Sequence, residues 1–399
     1  MTTVAGAELG LFERAADRRA VRRALTSAIA CVGLLLAPAA ARGDVEEEKP
    51  RLAFTFGKFW VTPIIGPAYT PELGFVIAGG ALISYRFDDV SPRSSAPIAL
   101  SYSSTGATTF TIKPSFYFLE DQLRIDAYYG NKVMTDNYFG VGYQLGNTTP
   151  LGETTTQYHK DYLQLNAAAM WRIREYLYFG GSFDLSRTDA TQLNPQMQQD
   201  PTVLAQGTYF RNTGLGPILR FDSRDFPQNA FSGIYFNAQY LFYRSFLGGT
   251  TTFDILDIDY RQYQSLGRPG FTLAWNVRTR NGVHDVPWTD LSLLGSGSDL
   301  RGYREGRYRD NTMIYALLEI RWMQLKGLDL SGEPKFGLNG FVAWIGAGTM
   351  GASYGELNCL LPNFGVGYRF IVQGRMAVRL DMGAGRESTG FYFSFNEAF

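Results

Sequence analysis

The sequence predicts an all-β protein, a 16-stranded antiparallel transmembrane β-barrel over residues 56–399. Apolar and polar residues alternate with a period of two in many segments, each near the length that a tilted strand needs to cross a bilayer. Short and long connections also alternate along the chain, as they do in outer-membrane barrels. Aromatic residues reach 15% and glycine is abundant, which suits strands that meet a membrane interface and turn tightly.

The first segment, residues 1–41, is predicted to be a secretory signal peptide. Four arginines between positions 18 and 23 precede the apolar run "ALTSAIACVGLLLAPAAA". A basic region, an apolar core and small residues before a cleavage point are the parts of such a signal. A membrane-anchor helix is the alternative, but Pro38 and the alanine-rich end favour cleavage after Ala41. Residues 42–55 would then be a short periplasmic lead-in.

Composition argues against several classes of function. The 37 basic and 37 acidic residues leave no net charge, whereas a nucleic-acid partner would require a basic stripe. After cleavage Cys359 is the only cysteine, so no intramolecular disulfide is expected. His159 and His284 are too few for a histidine metal cluster or a histidine-based catalytic network. We therefore expect no metal, no cofactor and no enzymatic activity.

The alternation defines the strands one by one. In "FTLAWNVRTR" (271–280), Phe271, Leu273 and Trp275 share one face and polar residues occupy the other. The same pattern recurs near 123–129, 177–185 and 234–242. The predicted strands are 56–67, 73–87, 95–104, 106–118, 121–132, 157–171, 175–188, 208–222, 231–245, 251–265, 269–281, 311–324, 335–349, 359–371, 375–385 and 389–398. The even number places both chain ends in the periplasm.

The connections favour lipid, rather than a second sheet, outside the barrel. Short connections are predicted to be periplasmic turns and long ones external loops. A closed barrel also pairs every backbone amide inside hydrocarbon. Two places fit less well, because Pro114 removes a ladder donor inside a strand and segment 335–349 does not alternate cleanly. The short connections are 119–121, 173–175 and 373–374, and the long ones are 133–156, 189–207 and 282–310.

The last segment, "GFYFSFNEAF", is typical of the closing strand of an exported barrel. Phe391, Phe393, Phe395 and Phe399 are spaced to fall on one face, which we expect to face lipid. The four phenylalanines are predicted to form the closing-strand signal for assembly.

A charged, glycine-rich segment, "GSDLRGYREGRYRD", precedes the last five strands. Its residues Leu300, Arg301, Gly302 and Tyr303 are similar to the [VIL]-R-G-[FY] motif of the BamA/TamA superfamily of outer-membrane barrels, also called the bacterial surface antigen family. The chain resembles the short members that lack periplasmic POTRA domains. The resemblance implies that the motif lies on a long external loop folded into the lumen.

A second motif supports the same resemblance. "FDSRDFPQNAFSG" (221–233) looks like the family's D-x-R-D-x-P…G periplasmic turn, with Asp222, Arg224, Asp225 and Pro227 in the motif positions. Further stretches similar to the family are 69–81, 137–146 and 378–399.

A guanidinium held inside the barrel requires a carboxylate partner. The alternation turns Glu319 and Asp381 towards the lumen, and we expect Arg301 to contact Glu319, with Asp381 as the second choice. The family often has an aspartate where "GFVAWIGAGTM" puts Trp344, so no acidic partner is expected there. Arg304, Arg307 and Arg309 have no assigned partners, and solvated and lipopolysaccharide-facing roles both remain open.

The resemblance implies insertion or translocation of proteins, or lipid handling, in the outer membrane of a Gram-negative bacterium. It implies as partners outer-membrane lipids and lipopolysaccharide, client outer-membrane proteins and a separate periplasmic protein. Pro63 and Pro67 lie in the first strand and would weaken its pairing with the last. One alternative is a passive pore or structural barrel. The other is a barrel-embedded hydrolase, for which His159, near Tyr158 and Asp161, is the only candidate residue.

Overall fold

A computed structural model describes residues 53–399 except 228, 269, 329–333, 358, 374–375, 387 and 396, and leaves aside the side chains of 325–338, 371–377 and 395. The predicted signal peptide 1–41 and lead-in residues 42–52 lie outside the described residues. The two α-helices among the described residues are short, α1 (Tyr143–Thr148) and α2 (Pro201–Gln206), and both lie in connections between strands. No helix in the described part of the chain is long and apolar enough to cross a membrane.

The strands form one antiparallel sheet in chain order, plus a small separate ribbon. The first ten are β1 (Phe54–Phe56), β2 (Phe59–Thr70), β3 (Gly74–Tyr85), β4 (Ser94–Ser103), β5 (Thr108–Ile112), β6 (Ser115–Phe118), β7 (Leu123–Asn137), β8 (Gln157–Arg174), β9 (Leu177–Thr191) and β10 (Tyr209–Asp222). The second ten are β11 (Gly233–Tyr243), β12 (Phe253–Ser265), β13 (Phe271–His284), β14 (Ser292–Leu294), β15 (Tyr308–Asp310), β16 (Thr312–Leu328), β17 (Pro334–Gly351), β18 (Leu361–Gln373), β19 (Met376–Ala384) and β20 (Thr389–Phe395).

These strands close a 16-stranded barrel, which confirms the predicted fold class. β1 is only a short arm paired with β2, and β14 and β15 form the ribbon inside a long loop. β5 and β6 are two parts of one crossing strand. Eleven crossings from β2 to β13 and five from β16 to β20 give the sixteen.

The two segments that fitted the pattern less well both belong to the sheet. Ile112 faces Tyr129 and Ser115 faces Asp126, so the register of β5 and β6 against β7 is the same on both sides of Pro114. The proline interrupts the ladder locally because it has no N–H. Segment 335–349 lies within β17, where glycines and alanines blur the hydropathic alternation.

The outer face of the barrel is apolar and the inner face is polar. On β16, Leu318 and Ile320 are exposed on the outside, whereas Glu319 and Arg321 between them are fully buried in the lumen. This alternation is the predicted one, and it places Glu319 and Arg321 inside the barrel.

The barrel closes at a weakly paired seam between β2 and β20. Among the described residues, one residue pair, Tyr69 with Phe393, joins the two strands. By contrast, β2 and β3 are paired at every position from Phe59 to Thr70. The other edge of β2 also carries β1, in which Phe54 pairs with Val61.

Candidate functional site

The connection between β13 and β16, residues 285–311, enters the barrel, and we call it the lumen loop. Leu300, Arg301 and Tyr303 are at most 1% exposed. Gly302 has φ +114°, and a Cβ there would lie 2.8 Å from the main chain of Ala384 in β19. Only glycine permits this backbone conformation and this close approach to the wall. The motif segment is therefore packed against the barrel wall and is not a solvated loop.

Arg301 contacts both of the carboxylates that the sequence singled out. Its Nη1 donates to Asp381 Oδ2 at 2.7 Å, and its Nη2 donates to Glu319 Oε1. All three side chains are fully buried. Charge-assisted hydrogen bonds of this kind are roughly twice as strong as neutral ones. One guanidinium thus links β16 to β19, so the first and second choices of partner are both occupied.

Trp344 of β17 provides a third contact for Arg301. The guanidinium carbon lies 3.5 Å from the centroid of the indole ring, a cation–π arrangement. The indole Nε1 donates to Asn363 Oδ1 at 2.9 Å, and Asn363 Nδ2 donates to the Arg301 carbonyl. The sequence located Trp344 but missed this role. The inward parity of Trp344 in β17 was the signal that could have revealed it.

Three further arginines extend the ionic contacts across the wall, and one of them, Arg379, has its Nε 3.6 Å from Asp381 Oδ2. Arg321 binds Glu319, with Nη2 2.8 Å from Oε2, and Arg369 binds Asp381, with Nη1 2.6 Å from Oδ1. These interactions were also missed by the sequence analysis, although strand parity turns Arg321 inward. Removing one partner of a buried ion pair costs about 3–5 kcal/mol, so the contacts fix the arrangement of the strands. We call Arg301, Arg321, Arg369, Arg379, Glu319, Asp381 and Glu397 the arginine–carboxylate network.

The segment after β20 joins this network and corrects one expectation. Arg369 Nε lies 2.8 Å from Glu397 Oε2, and Arg321 Nη2 donates to the Phe399 carbonyl at 3.2 Å. The Phe399 ring is 7% exposed and lies 6.3 Å from the ring of Tyr263. The prediction that Phe399 faces lipid is therefore wrong, because β20 ends before it and Arg369 and Arg321 hold the following residues in the lumen.

The other members of the predicted closing-strand signal lie in β20. Phe391 is exposed on the outer face, and Phe393 forms the seam pair with Tyr69. Phe395 pairs with Val378 of β19, and its side chain lies outside the described part of the chain. A role of these residues in assembly stays a prediction.

The lumen loop touches both sides of the seam. On the β20 side, the Gly302 N–H donates to the Tyr392 hydroxyl at 3.0 Å. On the β2 side, Arg304 Nη1 donates to the Pro71 carbonyl at 2.9 Å, and the Glu305 N–H donates to Glu72 Oε1 at 3.0 Å. The loop therefore bridges the weakly paired strands at their predicted external end.

The remaining arginines of the motif segment also have main-chain partners. Arg309 is 4% exposed, and its Nη2 donates to the Asn137 carbonyl at 3.1 Å. Arg307 Nη2 donates to the Asn147 carbonyl at 3.4 Å. Arg309 is therefore not a solvated or lipopolysaccharide-facing side chain, whereas Arg307 remains partly accessible.

Part of the lumen is packed by the lumen loop, and another part contains a cavity. Trp288 of the lumen loop is fully buried, and its ring centroid lies 5.0 Å from that of Tyr138. A cavity of about 330 Å³ lies between strands β7 and β13 and is lined by polar and charged side chains. Among these, Arg278 binds Asp257 through two hydrogen bonds of 3.0 and 2.7 Å.

In the lumen loop, burial disfavours the charged form of the Asp299 carboxyl group. Burial raises the pKa of Asp299 above its ordinary value, although its Oδ1 accepts a hydrogen bond from the Leu300 N–H at 2.5 Å. Desolvation disfavours the charged form of such a group.

The predicted periplasmic turn motif is built as one unit. Arg224 Nε and Nη2 each donate to the Asp222 carboxylate at 2.9 Å, and Arg224 Nη1 donates to the Pro227 carbonyl at 3.0 Å. Asp225 Oδ1 accepts from the Phe231 N–H at 3.0 Å. These contacts fix the connection between β10 and β11, so the motif has a structural role in the turn.

In the described part of the chain, no group of three or more histidine, cysteine, aspartate or glutamate side chains is arranged to hold a metal ion. The site consists of the network, the lumen loop and the seam that the loop bridges.

Comparison with known proteins adds independent findings. A family model described as "Omp85 superfamily domain" matches residues 86–354. BamA from Haemophilus ducreyi lacking POTRA domains 1–3 is similar in structure, with 12% identity, a TM-score of 0.54 and coverage of 84% of this chain and 70% of that chain. CdiB from Acinetobacter baumannii is similar, with 12% identity, a TM-score of 0.54 and coverage of 86% and 60%. No curated protein matches the chain. At this identity the two structures show a common fold.

Proposed function

This chain belongs to the Omp85 superfamily and is an outer-membrane β-barrel, and from that premise we propose that it inserts or translocates other proteins at the outer membrane. The observation that carries the proposal is the seam, in which Tyr69 and Phe393 form the single residue pair between β2 and β20. Unpaired backbone groups cost several kcal/mol each in hydrocarbon. A seam that leaves such groups unpaired is a natural place for another strand to enter.

The filled lumen also favours passage of a client through the seam rather than along the barrel axis. Arg301 is anchored by Glu319 and Asp381, and the lumen loop closes the external half of the barrel. A protein passing along the barrel axis would have to displace these buried charges, each of which requires its partner. Opening the seam leaves the network in place, so lateral passage is the route that the geometry favours.

We propose four classes of partner for this function. They are outer-membrane lipids, lipopolysaccharide, client outer-membrane proteins and a separate periplasmic protein that delivers clients. The balanced charge of the chain does not favour nucleic acid.

A disulfide across the seam tests the proposal. Tyr69 and Phe393 are directly opposed, so the double variant Tyr69→Cys/Phe393→Cys has the Cα spacing that a disulfide requires. The protein is reconstituted in liposomes and given a tagged, urea-unfolded copy of itself as client. Folding of the copy is read from its heat-modifiable migration on a gel. We expect the oxidised variant to lose insertion activity and the reduced variant to regain it.

The matched control places a disulfide within the barrel wall. Phe59→Cys/Tyr85→Cys joins β2 to β3, which are already fully paired, and should leave activity unchanged. Insertion at the wild-type rate with the seam disulfide closed would overturn the proposal.

The polar cavity favours a second candidate function, a passive pore. The cavity has a volume of about 330 Å³, and its lining residues include Asp126, Arg220 and Asp257. These charged side chains would set the ion preference if the lumen conducted. Conductance in planar bilayers separates the two functions. Large, steady openings support a pore, and small, erratic openings support a barrel closed by its loop.

We also propose that the protein is not an enzyme. His159 lies in β8 opposite Thr135 and Thr191, and His284 Nε2 is 3.7 Å from Oδ2 of Asp254, a carboxylate that also accepts a hydrogen bond from Arg244. Esterase and phospholipase assays on the purified protein test this, and turnover in either would contradict it.

A further inference from the structure

The outer face of β9 and β10 carries two arginines near the predicted external end of the barrel. Ser186 Oγ and Asn212 Nδ2 both donate to the Asp290 carboxylate of the lumen loop, at 3.2 and 3.0 Å. These two side chains therefore point into the barrel. Because successive residues of a strand face opposite sides of the sheet, Arg187 and Arg211 point outwards.

The two arginines are direct neighbours across the strands. Arg211 is opposite Arg187 in the register of β10 against β9. Side chains in such positions have Cβ atoms about 4.5–5.5 Å apart, and like charges there destabilise the sheet. An anion between the two guanidinium groups would remove this repulsion, since guanidinium groups bind phosphate through paired hydrogen bonds. We call Arg187 and Arg211 the arginine pair.

The protein itself neutralises the arginine pair only in part. Arg187 Nη2 is 3.7 Å from Asp161 Oδ1, but the two side chains are 42% and 40% exposed, and Arg187 Nε has no hydrogen-bond partner. Arg211 is exposed, and among the described residues its guanidinium forms no ion pair. By contrast, Arg244 just after β11 lies 2.5 Å from Asp254 Oδ1. An exposed contact such as that of Arg187 contributes little, so the arginine pair can still bind an external anion.

The arginine pair lies at the edge of the apolar outer face. Two positions from Arg187 along β9 is Leu185, and two positions further is Phe183, which is opposite Leu215 of β10. Leu215 is 45% exposed on the outer face. A strand rises about 3.3 Å per residue, so the pair lies roughly 7 Å beyond Leu185. Lipid chains therefore cover the apolar residues, and the arginine pair lies at the level of the lipid headgroups.

We propose that the arginine pair binds a phosphate group of lipopolysaccharide in the outer leaflet, with the acyl chains against Phe183, Leu185 and Leu215. This inference rests on the proposed partnership with lipopolysaccharide and names the site that forms it. Lipopolysaccharide combines phosphate groups and several acyl chains in one molecule, so one ligand satisfies both the charged and the apolar parts of the site. The site lies on β9 and β10, away from the seam between β2 and β20.

Retention of lipid A, the phosphorylated anchor of lipopolysaccharide, tests the proposal. The purified, folded protein in a non-ionic detergent is mixed with bisphosphorylated lipid A, or with the same lipid after removal of its phosphates, in the presence of EDTA. Native mass spectrometry counts the lipid molecules that each barrel retains. We expect Arg187→Gln/Arg211→Gln to bind the phosphorylated lipid about tenfold more weakly than the wild type, because it loses the charge-assisted hydrogen bonds to phosphate. Equal affinity in the double variant and the wild type would overturn the proposal.

Arg174→Gln/Arg268→Gln is the matched control. It removes the same charge from two exposed side chains at the predicted periplasmic end of the barrel, and it should retain the phosphorylated lipid like the wild type. An equal loss in both double variants would assign the binding to overall charge, and equal retention of the dephosphorylated lipid would assign it to apolar area. Either result would overturn the proposal. Displacement of lipid A by millimolar inorganic phosphate would overturn the choice of a lipid as the ligand.

A divalent cation could bind the same phosphate by another route. Asp161 is opposite Asp189 in the register of β8 against β9, beside the arginine pair. A cation held by these carboxylates could bridge to a phosphate oxygen. Retention that requires added Mg²⁺ and is lost in EDTA would place the phosphate on the carboxylates and overturn its assignment to the arginines.

The insertion assay separates this inference from the proposed function. In phospholipid liposomes without lipopolysaccharide, Arg187→Gln/Arg211→Gln should insert the unfolded copy at the wild-type rate, because the arginine pair is remote from the seam. A wild-type protein that inserts the copy but does not retain lipid A would overturn this inference alone. A wild-type protein that retains lipid A but does not insert the copy would overturn the proposed function alone.

Discussion

The wall beneath the lumen loop and the seam beside it are held in opposite ways. Arg301 alone contacts four consecutive strands, through Glu319 on β16, Trp344 on β17, Asn363 on β18 and Asp381 on β19. At the seam, by contrast, β2 and β20 share one residue pair. A perturbation should therefore part the barrel at the seam while the wall stays intact. In this barrel a strongly cross-linked wall, β16 to β19, therefore lies on one side of β20, and the weakly paired seam with β2 lies on the other.

The largest expected effect comes from substitutions in the arginine–carboxylate network. Arg301→Ala leaves Glu319 and Asp381 buried without their shared partner, and removal of one member of a buried ion pair costs about 3–5 kcal/mol. We expect a marked loss of folded barrel, measured as the amount of protein with heat-modifiable migration. Glu319→Ala should have a similar effect, because it leaves Arg301 and Arg321 without a common carboxylate.

Arg304→Ala is the matched control for Arg301→Ala, because Arg304 is partly exposed and donates to the Pro71 carbonyl at 2.9 Å. It should fold like the wild type. Normal levels and unchanged migration in both Arg301→Ala and Glu319→Ala would show that the network does not hold the wall together.

A smaller effect is expected from the aromatic contact. Trp344→Leu removes the cation–π contact with Arg301, which is worth about 0.5–2 kcal/mol, and the hydrogen bond to Asn363. The urea midpoint of unfolding in lipid should fall by less than it does for Arg301→Ala. Trp171→Leu, on the outer face of β8, provides the control. An equal fall in both variants would mean that the loss reflects aromatic area and not the contact with Arg301.

A third prediction concerns how the stability of the docked lumen loop depends on pH. Burial raises the pKa of Asp299, so the folded loop binds a proton more readily than the unfolded chain. Docking of the loop should therefore become more stable as the pH falls from neutral through the raised pKa, with no further gain below the ordinary value of 3.8. Limited proteolysis of the lumen loop across this range measures the trend. Asp299→Asn should reduce this trend without abolishing it, because burial also raises the pKa of Asp290, Glu305 and Asp310 in the same loop. An unchanged pH profile would contradict the assignment.

The smallest expected effect is a loss of stability as the pH falls, the opposite of that for Asp299, and it concerns the turn between β3 and β4. In the turn between β3 and β4, the N–H and the hydroxyl of Ser91 lower the pKa of Asp88 to about 2. Its contribution to the turn is fully present above the ordinary value of 3.8 and is lost as the pH falls through about 2. Asp88→Asn should slightly lower the stability of the turn at neutral pH, as read by hydrogen exchange. Faster exchange in wild type than in Asp88→Asn at neutral pH would contradict this.

The sequence predicted the parts of this structure that depend on alternation. A period of two identifies the strands and turns Glu319 and Asp381 inward, and the resemblance to the family placed Arg301 in the lumen. Alternation cannot tell which inward side chains approach one another across several strands, and the contacts of Trp344 and Asn363 with Arg301 were missed for that reason. It also cannot tell where a strand stops. Phe399 was assigned to the wrong face because β20 ends at Phe395.

The position of Arg301 in the chain sets an order of events in the biogenesis of this protein. Ribosomes produce it before Glu319, Trp344, Asn363 and Asp381, so its docking site does not exist until the last hairpins have been delivered. Until then a permanently charged guanidinium must stay hydrated. Docking of the loop is therefore a late checkpoint, and a polypeptide stalled before its final strands keeps that loop accessible to quality-control proteases.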